Sequence, residues 1–125
     1  MNHARRYHAV ATQTASRERL LILLLHAALS SMQQARALLS EGATPERATP
    51  HLDKALAIVQ ELQATLDQSQ SPAVTGPLAD VYAFVIWRVV TAKSNHRAAD
   101  VEDAVRAFAP IVDAFDVAIG VGHAR

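Results

Sequence analysis

The sequence predicts an all-α protein, an antiparallel up-down four-helix bundle with an N-terminal capping segment. Residue usage, the spacing of apolar positions and mostly short links carry that prediction. Of 125 residues, 25 are alanine, with only 4 glycines and 5 prolines. Alanine has the best helix propensity, whereas strands draw on β-branched and aromatic residues, and aromatics make up only 5% here. Apolar residues recur at steps of three and four through four separate stretches, which is helical periodicity. The length suits one domain, and 50% apolar content is enough to build a core. The expected division is a flexible capping segment over residues 1–15, a bundle over 16–119 and a disordered tail over 120–125.

Ser16 is a plausible N-cap for the first helix, with Glu18 placing negative charge at the positive end of its dipole. Leu21, Leu24, Ala28, Ala35 and Leu39 form its stripe, bordered by Leu25 and Met32, and Gly42 sits where a left-handed stop is wanted. For the second helix, Thr44-Pro45 and Thr49-Pro50 both offer a cap followed by proline. A start at Pro45 would carry Pro50 inside the helix, so a loose first turn with regular helix from Pro50 is expected. Leu52, Ala55, Val59, Leu62 and Leu66 form the cleanest seam in the chain. Residues 67–76 read as a polar connection, with Gly76-Pro77 opening the third helix. Its seam is Leu78, Val81, Tyr82, Val85, Val89 and Ala92. After Lys93-Ser94-Asn95, the fourth helix carries Val101, Ala104, Val105, Phe108, Ile111, Val112, Phe115 and Ile119. Pro110 should bend it by freeing the carbonyl of Arg106, and Gly120 and Gly122 should end the order. Consecutive amphipathic helices with short links pack as antiparallel neighbours.

Composition excludes several classes of function. Twelve basic residues balance twelve acidic ones, so no overall field draws the chain to nucleic acid or an anionic membrane. The absence of cysteine removes disulfides, thiolate metal sites and thiol nucleophiles, and fits a reducing compartment. The longest apolar run lies within residues 20–29, about half of the roughly 20 residues that cross a bilayer, so no membrane insertion is expected. Arg5, Arg6, Arg17 and Arg19 before that run resemble a secretory signal. Against this, the basic region is long and the helical spacing continues through Met32, Ala35 and Leu39.

No catalytic motif stands out: there is no glycine-rich loop after a strand, no Gly-x-Ser-x-Gly elbow, and no Glu-x-x-His or His-Glu-x-x-His pair. His3, His8, His26, His51, His96 and His123 are scattered, and a lone histidine lacks the companions that a metal site needs. Neither metal nor cofactor is expected. His51-Leu52-Asp53-Lys54 has the His-x-x-Lys spacing of histidine phosphotransfer domains. Ala55 stands where that family has glycine, however, and His51 directly follows Pro50 rather than lying in mid-helix. Phosphotransfer through His51 is the enzymatic alternative. A solvated first-turn histidine is the plainer one.

The chain carries more apolar surface than its seams use. Beyond its stripe the third helix bears Ala83, Phe84, Ile86, Trp87 and Val90, with Arg88 and Lys93 as its only charges past Asp80. A helix apolar all round must be covered by something. Neighbouring helices could cover it, or it could form a groove for a partner's amphipathic helix. Tyr7 and Val10 lie in a leader long enough to cross one such groove and to yield to a competing helix. The predicted partner-binding residues are Tyr7, Val10, Leu56, Tyr82, Ala83, Ile86, Trp87 and Val90.

The ordered residues also match a known pattern. Tyr7 is followed by Thr14-Ala15-Ser16. Next come Arg19-Leu20-Leu21-Ile22-Leu23-Leu24-Leu25-His26-Ala27-Ala28-Leu29 and Leu52-Asp53-Lys54-Ala55-Leu56-Ala57-Ile58-Val59-Gln60-Glu61-Leu62 with Leu66-Asp67. Leu78-Ala79-Asp80-Val81-Tyr82 and Arg88 complete the series. This succession resembles the FliS family of flagellar secretion chaperones over nearly the whole chain. The resemblance implies a cytoplasmic helical bundle, not an enzyme, that binds the C-terminal segment of flagellin and keeps it unpolymerised until type III export. Other flagellar export proteins would be further partners, and the chain a monomer or weak homodimer. Tyr7 matches the family's N-terminal tyrosine, Tyr82 its third-helix tyrosine and Arg88 the arginine that follows. The resemblance further implies that the N-terminal segment caps a hydrophobic site that flagellin takes over. Leu25-His26-Ala27-Ala28 in place of Tyr-Asp-Gly-Ala, Trp87 in place of tyrosine, and Pro110 depart from the pattern and leave open a non-flagellin client.

Overall fold

The computed structural model describes the backbone of residues 2–66 and 72–120, and side chains from Ser16 onward within those spans, apart from Pro72, Val74 and Gly120. Four α-helices follow one another: α1 (Asn2–Ser40), α2 (Pro45–Ala64), α3 (Pro72–Asn95) and α4 (Ala98–Phe115). The last runs into a π-helical turn at Asp116–Gly120. No strand occurs among the described residues. α1 packs on α2 and α4, and α3 packs on the same two, so α1 and α3 stand diagonally opposite. This is the up-down four-helix bundle expected from short links between consecutive helices.

The core lies on the central axis and takes one stripe from each helix. α1 contributes Leu25, Ala28, Met32 and Ala35, and α2 contributes Ala48, Leu52, Ala55, Val59 and Leu62. α3 adds Tyr82, Val85, Val89 and Ala92, and α4 adds Val101, Ala104, Phe108 and Val112. The seams of α2, α3 and α4 fall where the spacing placed them. In α1 the stripe is rotated slightly from the expected line, keeping Ala28 and Ala35 but running through Leu25 and Met32. Leu25 and Met32 are fully buried, while Leu21, Leu24 and Leu39 pack at the margin. Residues 20–25 of this helix are so uniformly leucine and isoleucine that periodicity could not fix its rotation.

Four element boundaries differ from the sequence-based expectation. α1 is helical from Asn2 rather than from Ser16, so residues 2–15 continue its backbone. At about 1.5 Å per residue its 39 residues span roughly 58 Å, twice the length of α2. α2 begins at Pro45 and contains Pro50. Pro45 takes the first helical position, where a missing N–H costs nothing. Pro50 then costs a single bond, while the buried Ala48 and Leu52 hold the flanking turns on the core. The Thr49 hydroxyl donates to the Pro45 carbonyl at 2.9 Å. α3 begins at Pro72 and passes through Gly76 and Pro77, and Thr75 is buried in that opening stretch. α4 continues through Pro110 to Phe115, and Gly120 closes the π turn rather than opening a tail. Residues 67–71 of the expected connection and 121–125 of the expected tail lie outside the described residues.

Two left-handed residues end helices. Gly42 has φ 78°. Its N–H bonds the Leu39 carbonyl at 3.2 Å, and the Ala43 N–H reaches Leu38 at 2.9 Å, the double-bonded stop that glycine favours. His96 has φ 57° and donates its N–H to Ala92 at 2.8 Å, ending α3 so that α4 can begin two residues later.

Candidate partner-docking face

α3 turns two different faces outward and inward. Tyr82, Val85, Val89 and Ala92, at steps of three, four and three, line the core. The opposite line carries Ala83, Trp87 and Val90, with Phe84 one turn before Trp87. All four are exposed, Trp87 at 58% and Val90 at 44%. Since only α2 and α4 flank α3, no described element covers this side. Phe84 and Trp87 meet edge to face with centroids 5.8 Å apart, a favourable arrangement for aromatic quadrupoles.

Ion pairs give the face its two borders. Lys93 at the end of α3 pairs with Asp53 of α2 at 2.5 Å. Leu56 lies one turn beyond Asp53 and Val90 one turn before Lys93. In antiparallel helices these two positions therefore stand level along the α2–α3 seam. Leu56 and Ile86 are partly buried there against the core. On the other border Phe84 of α3 and Asp103, Arg106 and Ala107 of α4 line a shallow depression of about 290 Å³. Behind it the Arg88 guanidinium pairs with Asp100 through Nη2 and with Asp103 at 3.2 Å, and its Cζ sits 4.7 Å from the Trp87 ring centroid.

Of the predicted contact residues, Ala83, Trp87 and Val90 stand together on the exposed face, with Ile86 and Leu56 at its α2 margin. Tyr82 is a correction. It is only 2% exposed and belongs to the core, because it falls on the same stripe as Val85 and Val89. Burial raises its phenol above the ordinary value near 10. The side chains of Tyr7 and Val10 lie outside the described residues. Phe84, Asp103, Arg106 and Ala107 were not among the predicted contacts. Phe84 was visible in the surplus apolar residues of α3, whereas the α4 residues required knowing which side of α4 faces α3.

A family model described as Flagellar protein FliS matches residues 1–121. The chain belongs to the FliS family. That family is one of flagellar export chaperones and not a family of enzymes. No curated protein matches it. Within this FliS chain, Arg88 anchors α3 to α4, and Tyr82 fills the core. His51, the candidate phosphotransfer residue, is partly buried in the second turn of α2 rather than solvated in the first. His26, the sole histidine within the expected first helix, donates through Nε2 to the carboxylate of Asp116 at 2.8 and 2.9 Å, tying the π turn to α1. Among the described residues, no three His, Cys, Asp or Glu side chains converge as a metal site, and no helix is long and apolar enough to cross a membrane.

Proposed function

We propose that this protein binds the C-terminal segment of flagellin in the cytoplasm, prevents its premature polymerisation and assists its type III export. The exposure of Trp87, flanked by Phe84 and Val90 on the side of α3 opposite the core, carries the reading. A client helix laid on this face would bury those side chains, each large apolar group contributing on the order of 1.5 to 3 kcal/mol. Ordering a disordered client takes back several kcal/mol, so at least two or three anchors are needed. Phe84, Trp87 and Val90 provide that number, with Leu56 and Ile86 extending the contact toward α2. Neither a nucleotide nor a cofactor enters such a mechanism.

The capping role of residues 1–15 has a structural requirement. α1 is continuous from Asn2, and α3 stands diagonally across the bundle. For Tyr7 and Val10 to lie over the α3 face, α1 must break near Ser16 and its leader must fold back. Mixing the purified protein with a flagellin C-terminal peptide in a calorimeter tests the main reading. A one-to-one complex is expected, and the absence of heat at high micromolar concentration rejects it.

A further inference from the structure

We propose that Arg88 is a positioning residue, which Asp100 and Asp103 lock in place so that its guanidinium holds the Trp87 indole in a fixed orientation on the docking face. The inference rests on the docking reading above and adds to it what keeps the central anchor ready.

The Arg88 side chain is 14% exposed and that of Asp100 is 6% exposed. An ion pair this buried gains little stability over well-packed apolar side chains, because both charges must be stripped of water. Its satisfaction is also incomplete: Nε of Arg88 and Oδ2 of Asp100 are buried without a hydrogen-bond partner. Two carboxylates on one guanidinium, one buried and one half-exposed, fix where the guanidinium sits more than they add to stability. Asp100 lies in the first turn of α4, where the positive end of the helix dipole favours its charge. Asp103 follows on the adjacent turn, so both carboxylates approach Arg88 from a rigid element.

The planar guanidinium then has little freedom, and its Cζ lies 4.7 Å from the Trp87 ring centroid. The other ring neighbour is Phe84, one turn earlier on α3, in edge contact with the indole. An indole that is 58% exposed would ordinarily sample several rotamers, and freezing it at the moment of docking would weaken binding. Contact with the Arg88 guanidinium over the ring and with Phe84 at an edge removes that freedom beforehand. Lysine could preserve the charge, but not the flat surface.

Trp87 is the only tryptophan in the chain, so the indole band in near-ultraviolet circular dichroism reports on this side chain alone. Arg88→Met and Arg88→Lys should each weaken that band by about twofold or more, since the stacked plane is lost, while far-ultraviolet helicity stays at the level of the unsubstituted protein. Asp100→Asn should do the same by freeing the guanidinium. Each variant should bind a flagellin C-terminal peptide about five- to tenfold more weakly. An indole band unchanged in both Arg88 variants overturns the proposal. So does an Asp100→Asn protein that melts earlier yet keeps both band and affinity, because Arg88 would then be a strut between helices only. The band is measured on the free protein, so a peptide that fails to bind the unsubstituted chain rejects the docking reading and leaves this one to be decided by the dichroism.

Discussion

Trp87 and Phe108 are both large and aromatic, yet they stand at opposite ends of the exposure range, 58% against 0%. Their substitutions should therefore separate binding from folding. Trp87→Ala is expected to weaken client binding by about ten- to a hundredfold, as for a central interface anchor, while the melting temperature barely moves. Phe108→Ala leaves a cavity in the core and should cost about 3 to 5 kcal/mol in denaturant titrations. Tyr82 offers a pH test. Its phenol is raised by burial, so its contribution to stability is complete below the unfolded value near 10 and is lost as pH climbs through the higher folded value. The melting temperature should fall more steeply above pH 10 in the native chain than in Tyr82→Phe; equal slopes would show that the buried phenol is not responsible. Tyr82 was legible as a seam residue from its spacing with Val85 and Val89. Its partner-binding assignment ran against that spacing, and the core position is the one observed.

The helices show where local chemistry ends and packing begins. Gly42 was read as the stop of α1 from its position alone, and its φ of 78° confirms the left-handed geometry. Nothing lies within 4 Å of the position a Cβ would take there. Gly42→Ala should thus cost about 1 kcal/mol through backbone strain alone, measurable as a lower melting temperature with no change in client affinity. The prolines were harder. Pro50, Pro77 and Pro110 all lie inside helices, though two were expected at helix starts. A proline's local penalty is a few kcal/mol at most, and flanking turns anchored on a shared core outweigh it. Pro110 is exposed and leaves the Arg106 carbonyl without its usual donor. Pro110→Ala should raise stability by about 1 to 2 kcal/mol, the restored bond being partly offset by a more flexible unfolded chain.

At the scale of the whole molecule, four rods packed in a square hide one stripe each, and α3 carries apolar residues on two. Among the described side chains of α1, burial begins at Leu25, with Leu21 and Leu24 at the margin. Deleting residues 1–12 should leave the thermal transition of the bundle in place while changing client affinity or solubility; an unaltered protein would remove the capping role. The FliS family match extends over residues 1–121 and so includes this leader.

Amino-acid order was sufficient for the all-α class, for the number of helices and for three of the four seams, because helical periodicity is a local property written in steps of three and four. It was also sufficient to single out Trp87 and Val90 as surplus to the core. Which sides of α2 and α4 face α3 was beyond local reading, as was the pairing of Arg88 with Asp100 and Asp103 and of Lys93 with Asp53. Those pairings depend on the axial register and rotation of helices separated in the chain, and both are settled only when four stripes close around one axis.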